Sequence, residues 1–151
     1  MGIVDDIQQT QFRNESQKAM INLIYSYNWV NETMSRVFFS KDITAQQFNI
    51  LRILRGAKKP LSTLQIRHRM LDRMSDTSRI VDRLLKKELV TKNVCDTDKR
   101  LVDISISKSG MQLLENMDEE IIALENNFTQ LNEGELKQLN FLLDKLREKN
   151  V

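Results

Sequence analysis

Between Phe12 and Val37 the apolar residues Phe12, Ala19, Leu23, Tyr27, Val30, Met34 and Val37 recur at steps of three, four or seven, with Met20, Ile24 and Phe38 widening the stripe. This is the period of one helical face, and it predicts a long amphipathic helix over Thr10 to Phe39. The stretch SKDITAQQFNILRILRG then places Thr44 as an N-cap, with Gln47 three residues on and Phe48, Leu51 and Leu54 as the apolar set. A short helix follows, with Gly56 as its expected stop. Pro60 and the cap candidate Ser62 precede Leu64, Ile66 and Met70, which predict another short helix. From Asp72 to Glu88, a helical wheel gathers Asp72, Ser75, Asp76, Arg79, Arg83 and Lys86 in one arc. Thr77, Ile80, Val81, Leu84 and Leu85 fall opposite, so this helix has one face for a core and another that is polar and cationic. Ser75 and Asp72 are its candidate N-caps.

The period then changes. In LVDISIS, Val102, Ile104 and Ile106 alternate with Leu101, Asp103 and Ser105, the pattern of a half-buried strand; LVTKNV is a weaker first arm. Together they predict a hairpin with a charged tip. Residues Lys108 to Asn150 return to helix, with a break near NEGE. Three short helices followed by a two-stranded hairpin is the order of a winged helix-turn-helix. The expected fold is therefore mainly α with a small β-hairpin wing, a winged helix-turn-helix DNA-binding core flanked by long dimerisation helices. One domain is expected over 1–151, with the lobe at 44–107 and the flanking helices at 10–39 and 108–150.

Charge changes this picture more than composition does. The net charge is +2, yet Arg52 to Arg100 carry fourteen Lys and Arg against six Asp and Glu, while the remaining segments hold nine against fifteen. A basic middle on an acidic frame is the electrostatic footprint of a nucleic-acid surface. A solvated basic face, or a winged-helix module that meets an acidic protein partner, has the same footprint. One Cys and one His make a structural metal site unexpected. Neither a glycine-rich phosphate loop nor a Gly-x-Ser-x-Gly elbow occurs, so catalysis is not expected, and no cofactor is implied. No apolar run approaches membrane-spanning length and the N-terminus MGIVDDIQQT is unlike a secretory signal, so a cytoplasmic protein without membrane partners is expected.

The segment from Pro60 to Gly110 resembles the DNA-binding core of the MarR family of bacterial transcription regulators. The residues that carry the resemblance are the run Ser78-Arg79-Ile80-Val81-Asp82-Arg83-Leu84 and the wing-tip triplet Asp98-Lys99-Arg100. The pattern departs at Cys95, where the family usually has Asp, and at Leu71, where Gly is common. The resemblance implies a homodimer with interlocked terminal helices, bound to a pseudo-palindromic DNA site and usually repressing until an effector binds. It also implies that Arg100 enters the minor groove while Asp98 pairs with an Arg and shapes the tip.

The candidate DNA-contacting residues are Arg73, Ser75, Asp76, Thr77, Ser78, Arg79, Arg83, Asp98, Lys99 and Arg100. Small polar side chains at a helix start can reach base edges, and cations can reach phosphates. Asp76 would repel phosphate unless it accepts from cytosine or braces an Arg, and Thr77 leans toward the apolar side. Cys95 lies near Lys92, Lys99 and Arg100, and an exposed thiol without a sensing role is its expected state. Tyr25, Trp29, Phe38 and Phe48 are the candidates to line a pocket for a small aromatic effector; at helical spacing, core or dimer interface is the favoured reading.

Overall fold

Side-chain caps decide where most helices of this chain begin. In the computed structural model, which describes residues 2–94, 102–128 and 130–148, α1 spans Ile3–Asp6 and α2 spans Glu15–Ser40. The Asn14 side chain accepts from Gln17 N at 2.8 Å and opens α2, so the helix starts five residues later than the stripe predicts. Thr44 opens α3 (Ala45–Ala57) with the expected reciprocal pair, Gln47 N to Thr44 Oγ1 and Thr44 N to Gln47 Oε1, each 3.1 Å. Ser62 and Gln65 repeat that arrangement ahead of α4 (Thr63–Arg69). Each such cap satisfies backbone N–H groups that the helix itself cannot, worth about 1 kcal/mol. Gly56 does not stop α3. The helix runs one residue further and ends at Lys58, whose φ of +53° reverses the chain without glycine.

The cationic helix is α5, Thr77–Lys86, shorter at its start than the wheel predicts. Asp72 is the reason. Its carboxylate accepts from Met74 N at 3.0 Å and its carbonyl accepts from Ser75 Oγ at 2.7 Å, a local turn that competes with helix. The cap is Asp76, which accepts from Arg79 N at 3.2 Å, and not Ser75 or Asp72.

The hairpin is present as β2 (Val90–Val94) and β3 (Val102–Ile106), paired antiparallel from Val90↔Ile106 to Val94↔Val102. A third strand, β1 (Leu61–Ser62), adds Leu61↔Ile104 on the other edge of β3, giving the order β1-β3-β2. Two residues are too few to show an alternation, which is why the sequence pattern does not reveal β1. Ile50, Leu51, Leu61, Ile66, Leu84 and Ile104 are fully buried and form the centre of this lobe. Burying each contributes about 1.5–3 kcal/mol. Inside it, Asn49 donates to Met70 Sδ at 3.6 Å and accepts from Arg52 Nη2 at 2.9 Å, tying α3 to the end of α4.

Helix α6 (Lys108–Glu125) begins at Ser107, whose Oγ accepts from Gly110 N at 3.0 Å and donates to the Glu88 carbonyl at 2.7 Å. Ser107 N also donates to Leu89 O at 3.0 Å. A Cβ at Gly110 would overlap the Leu89 carbonyl oxygen and come within 2.9 Å of Ile106 Cγ1, so only glycine fits there. The chain divides into two compact units within α6, residues 1–116 and 117–151. The second unit holds the rest of α6, a 3-10 turn at Asn126–Phe128 and α7 (Glu133–Arg147). Asn132 and Glu135 form the capping box of α7, at the break predicted near NEGE.

Candidate nucleic-acid interface

The surface of α4, the turn after it and α5 is where the basic middle of the chain comes together. Ile80, Val81 and Leu84 turn α5 into the core, and this leaves Ser78, Arg79, Asp82, Arg83 and Lys86 exposed along its outer face. Arg67 and Arg69 on α4 and Arg73 in the turn are exposed as well. Among the described residues, Arg67, Arg73, Arg79 and Arg83 form no ion pair. Guanidinium groups left in water without a protein partner keep their full capacity for phosphate oxygens.

Beside the start of α5 lies an open hollow of about 520 Å³ lined by Thr63, Leu64, Arg67, Met74, Ser75, Asp76, Thr77 and Ser78. Ser75, Asp76, Thr77 and Ser78, all candidates from the sequence, therefore border one concavity. Their roles differ. Ser75 is half-buried and its hydroxyl is engaged by the Asp72 carbonyl. The Asp76 carboxylate caps the helix. Thr77 is only 4% exposed, and its Oγ1 is buried with no hydrogen-bond partner among the described residues. Ser78 and Arg79 are open to solvent, and Arg83 sits one turn beyond Arg79. Asp98, Lys99 and Arg100 lie outside the described residues, as does Cys95; the pair Val94↔Val102 is the last described rung beneath that tip.

The four aromatic candidates for an effector pocket are not gathered into one site. Phe38 and Phe48 are buried and stack at 4.9 Å between ring centroids, joining α2 to α3 as core. Tyr25 and Trp29 lie on the exposed side of α2. Thirteen residues separate Tyr25 from Phe38 on one helix, which at about 1.5 Å per residue places them about 20 Å apart. Sequence reasoning missed four lining residues of the hollow, Thr63, Leu64, Arg67 and Met74. Leu64 and Met70 read alike as apolar helix positions, yet Met70 is buried and Leu64 is exposed. Among the described residues, no three His, Cys, Asp or Glu side chains come together as metal ligands would, and no helix is long and apolar enough to cross a membrane.

Three helices with α5 presented beside a three-stranded hairpin sheet define a winged helix-turn-helix, a fold that lays its second motif helix along DNA. Residues 43–102 match the model of the MarR family. The chain is similar to the HTH-type transcriptional regulator MhqR of Bacillus subtilis (strain 168), 27% identical over 104 residues that span 68% of this chain and 70% of that protein. It is also similar to the MarR transcription factor from Planctomyces limnophilus, with a TM-score of 0.68, 28% identity, and 89% and 98% of the two chains covered. A mutant MarR from E. coli complexed with operator DNA shares the fold at a TM-score of 0.79 and 21% identity, over 92% of this chain and 100% of that one. The match to the MarR family thus falls on residues 43–102, the winged helix-turn-helix lobe, and the fold as a whole is that of the MarR regulators it resembles.

Proposed function

We propose that the chain is a sequence-specific double-stranded DNA-binding regulator of transcription that acts as a homodimer on a pseudo-palindromic operator, represses there, and is released by a small effector. The observation that carries the DNA reading is the outer face of α5, with Ser78, Arg79 and Arg83 exposed and the cations Arg67 and Arg73 flanking it without ion pairs. In this reading α5 enters the major groove, its cations fix register on phosphates, and Asp98, Lys99 and Arg100 act at the wing tip.

Homodimer formation is supported by apolar residues left in water on two helices. On α2 these are Met20, Leu23, Ile24 and Tyr27, and on α7 they are Leu139, Phe141, Leu142 and Leu146. Stripes of this kind are covered in a folded assembly. The whole chain then works as one module, with helices 10–39 and 108–150 making the dimer and 44–107 meeting DNA. Effector release is sought at Tyr25 and Trp29, exposed one helical turn apart. Trp29 is the only tryptophan of the chain, so binding of an aromatic effector changes a single fluorescence signal.

Selection of bound sequences from a random duplex pool, with sedimentation of the free protein, tests the proposal. The expected result is a dimer that recovers a pseudo-palindrome with half-sites about one helical turn apart. A protein that recovers no sequence and whose binding to random duplex does not fall with salt is instead a winged-helix module for a protein partner.

A further inference from the structure

The turn before α5 holds two apolar side chains almost entirely in water. Met74 is 94% exposed and Leu71 is 81% exposed, and Leu64, which lines the same hollow as Met74, is 60% exposed. Arg67 lines the same hollow, and Arg73 and Arg79, close by in the chain, are exposed. Neither core packing nor a helix stripe accounts for the apolar side chains, since Ile66, Met70 and Ile80 already supply the buried positions of this region. A partner that satisfies the cations must be a polyanion, and one that also covers Met74 and Leu64 must present an apolar group between its charges. The major groove of duplex DNA has one aliphatic group, the C5 methyl of thymine, flanked on both sides by phosphates.

Building on the DNA-binding reading, we propose that Met74, with Leu64 behind it, is a specificity-determining contact that selects thymine by its 5-methyl group at one position of each half-site. Ser78 and Arg79, on the adjoining turn of α5, face the neighbouring base edges and phosphates. Leu71 extends the apolar surface toward the sugar-phosphate edge. The hollow between Leu64 and Met74 is open and about 520 Å³, room for a base edge with its methyl group.

Deoxyuridine, which differs from thymidine only by that methyl, tests this directly. Each thymine of the selected duplex is replaced in turn, and binding of the wild type, Met74→Ala and Met74→Leu is measured by fluorescence anisotropy at one salt concentration. At one thymine per half-site, uracil weakens wild-type binding about fourfold, the size expected for losing one buried methyl group. Met74→Ala weakens binding to the thymine duplex by a similar factor and no longer distinguishes uracil there, while Met74→Leu restores the distinction. Because Met74 is in water, the alanine variant keeps the wild-type melting temperature.

Uracil that weakens wild type and Met74→Ala equally at every position overturns the proposal, as does uracil that weakens neither while selective binding persists. Either result leaves the DNA-binding reading standing. Loss of all sequence-selective binding in the wild type overturns both. Vesicles of anionic lipid provide the remaining comparison. Co-sedimentation that Met74→Ala abolishes, with duplex binding unchanged, assigns the apolar cluster to a lipid surface and overturns the thymine contact.

Discussion

Thr77 holds a buried hydroxyl that finds no partner among the described residues, at the first position of the helix that carries the candidate site. A buried polar group without a partner costs about 1–3 kcal/mol, and an apolar group of the same shape removes that cost. Thr77→Val is therefore expected to raise stability by about 1 kcal/mol in urea unfolding; a loss of stability would mean that the hydroxyl has a partner in solution. Some residues disclose their roles by spacing alone. Thr44 with Gln47 three residues on forms the cap that spacing predicts, and Ser62, a cap candidate by its place before an apolar run, caps α4 with Gln65 as its reciprocal partner. Asp72, Ser75 and Asp76 are all competent caps in tandem, and which one wins depends on the turn that Asp72 closes with Met74 and Ser75. No periodicity encodes that competition. Met74 was equally illegible, because a methionine near a helix start looks like core until its surroundings are known.

At the scale of the element, α5 starts on a carboxylate that also faces the surface assigned to DNA. Asp76 holds the helix start, and in the proposed complex it would also add a negative charge near phosphates. The two separate by substitution. Asp76→Asn keeps an acceptor for Arg79 N and is expected to hold stability within a few tenths of a kcal/mol, whereas Asp76→Ala loses about 1 kcal/mol. Random-duplex binding by Asp76→Asn should tighten severalfold at low salt, with the gain fading as salt screens the charge. Equal melting of both variants would show that the cap contributes nothing. The longer helices and the β2–β3 hairpin were legible because their periods persist over several residues, whereas the four-residue α1 was not. The start of α5 and the two-residue β1 were not, since a local turn and a distant pairing partner set them.

For the whole molecule, the excess of cations between Arg52 and Arg100 was plain in the chain, but its usefulness was not. What the structure adds is that Arg79 and Arg83 spend none of their charge on carboxylates among the described residues. If both reach phosphates, the double variant Arg79→Ala, Arg83→Ala lowers the slope of log affinity against log salt by about two for each lobe. Titrations of random duplex at several salt concentrations measure that slope, and an unchanged value removes α5 from the phosphate contacts. The division into two compact units within α6 had no counterpart in the sequence pattern, because the helical period runs through the boundary unbroken.

The glycine at the start of α6 gives the molecule a mechanical property. Gly110 lets the first turn of α6 rest on the backbone that leaves α5, and Ser107 fastens the same place to the Glu88 and Leu89 carbonyls. At Gly110 backbone meets backbone directly, and the Ser107 hydroxyl closes the same contact, so little there can flex to absorb a displacement. A joint made this way is stiff, and the first turn of α6 and the segment that leaves α5 are expected to move as one piece.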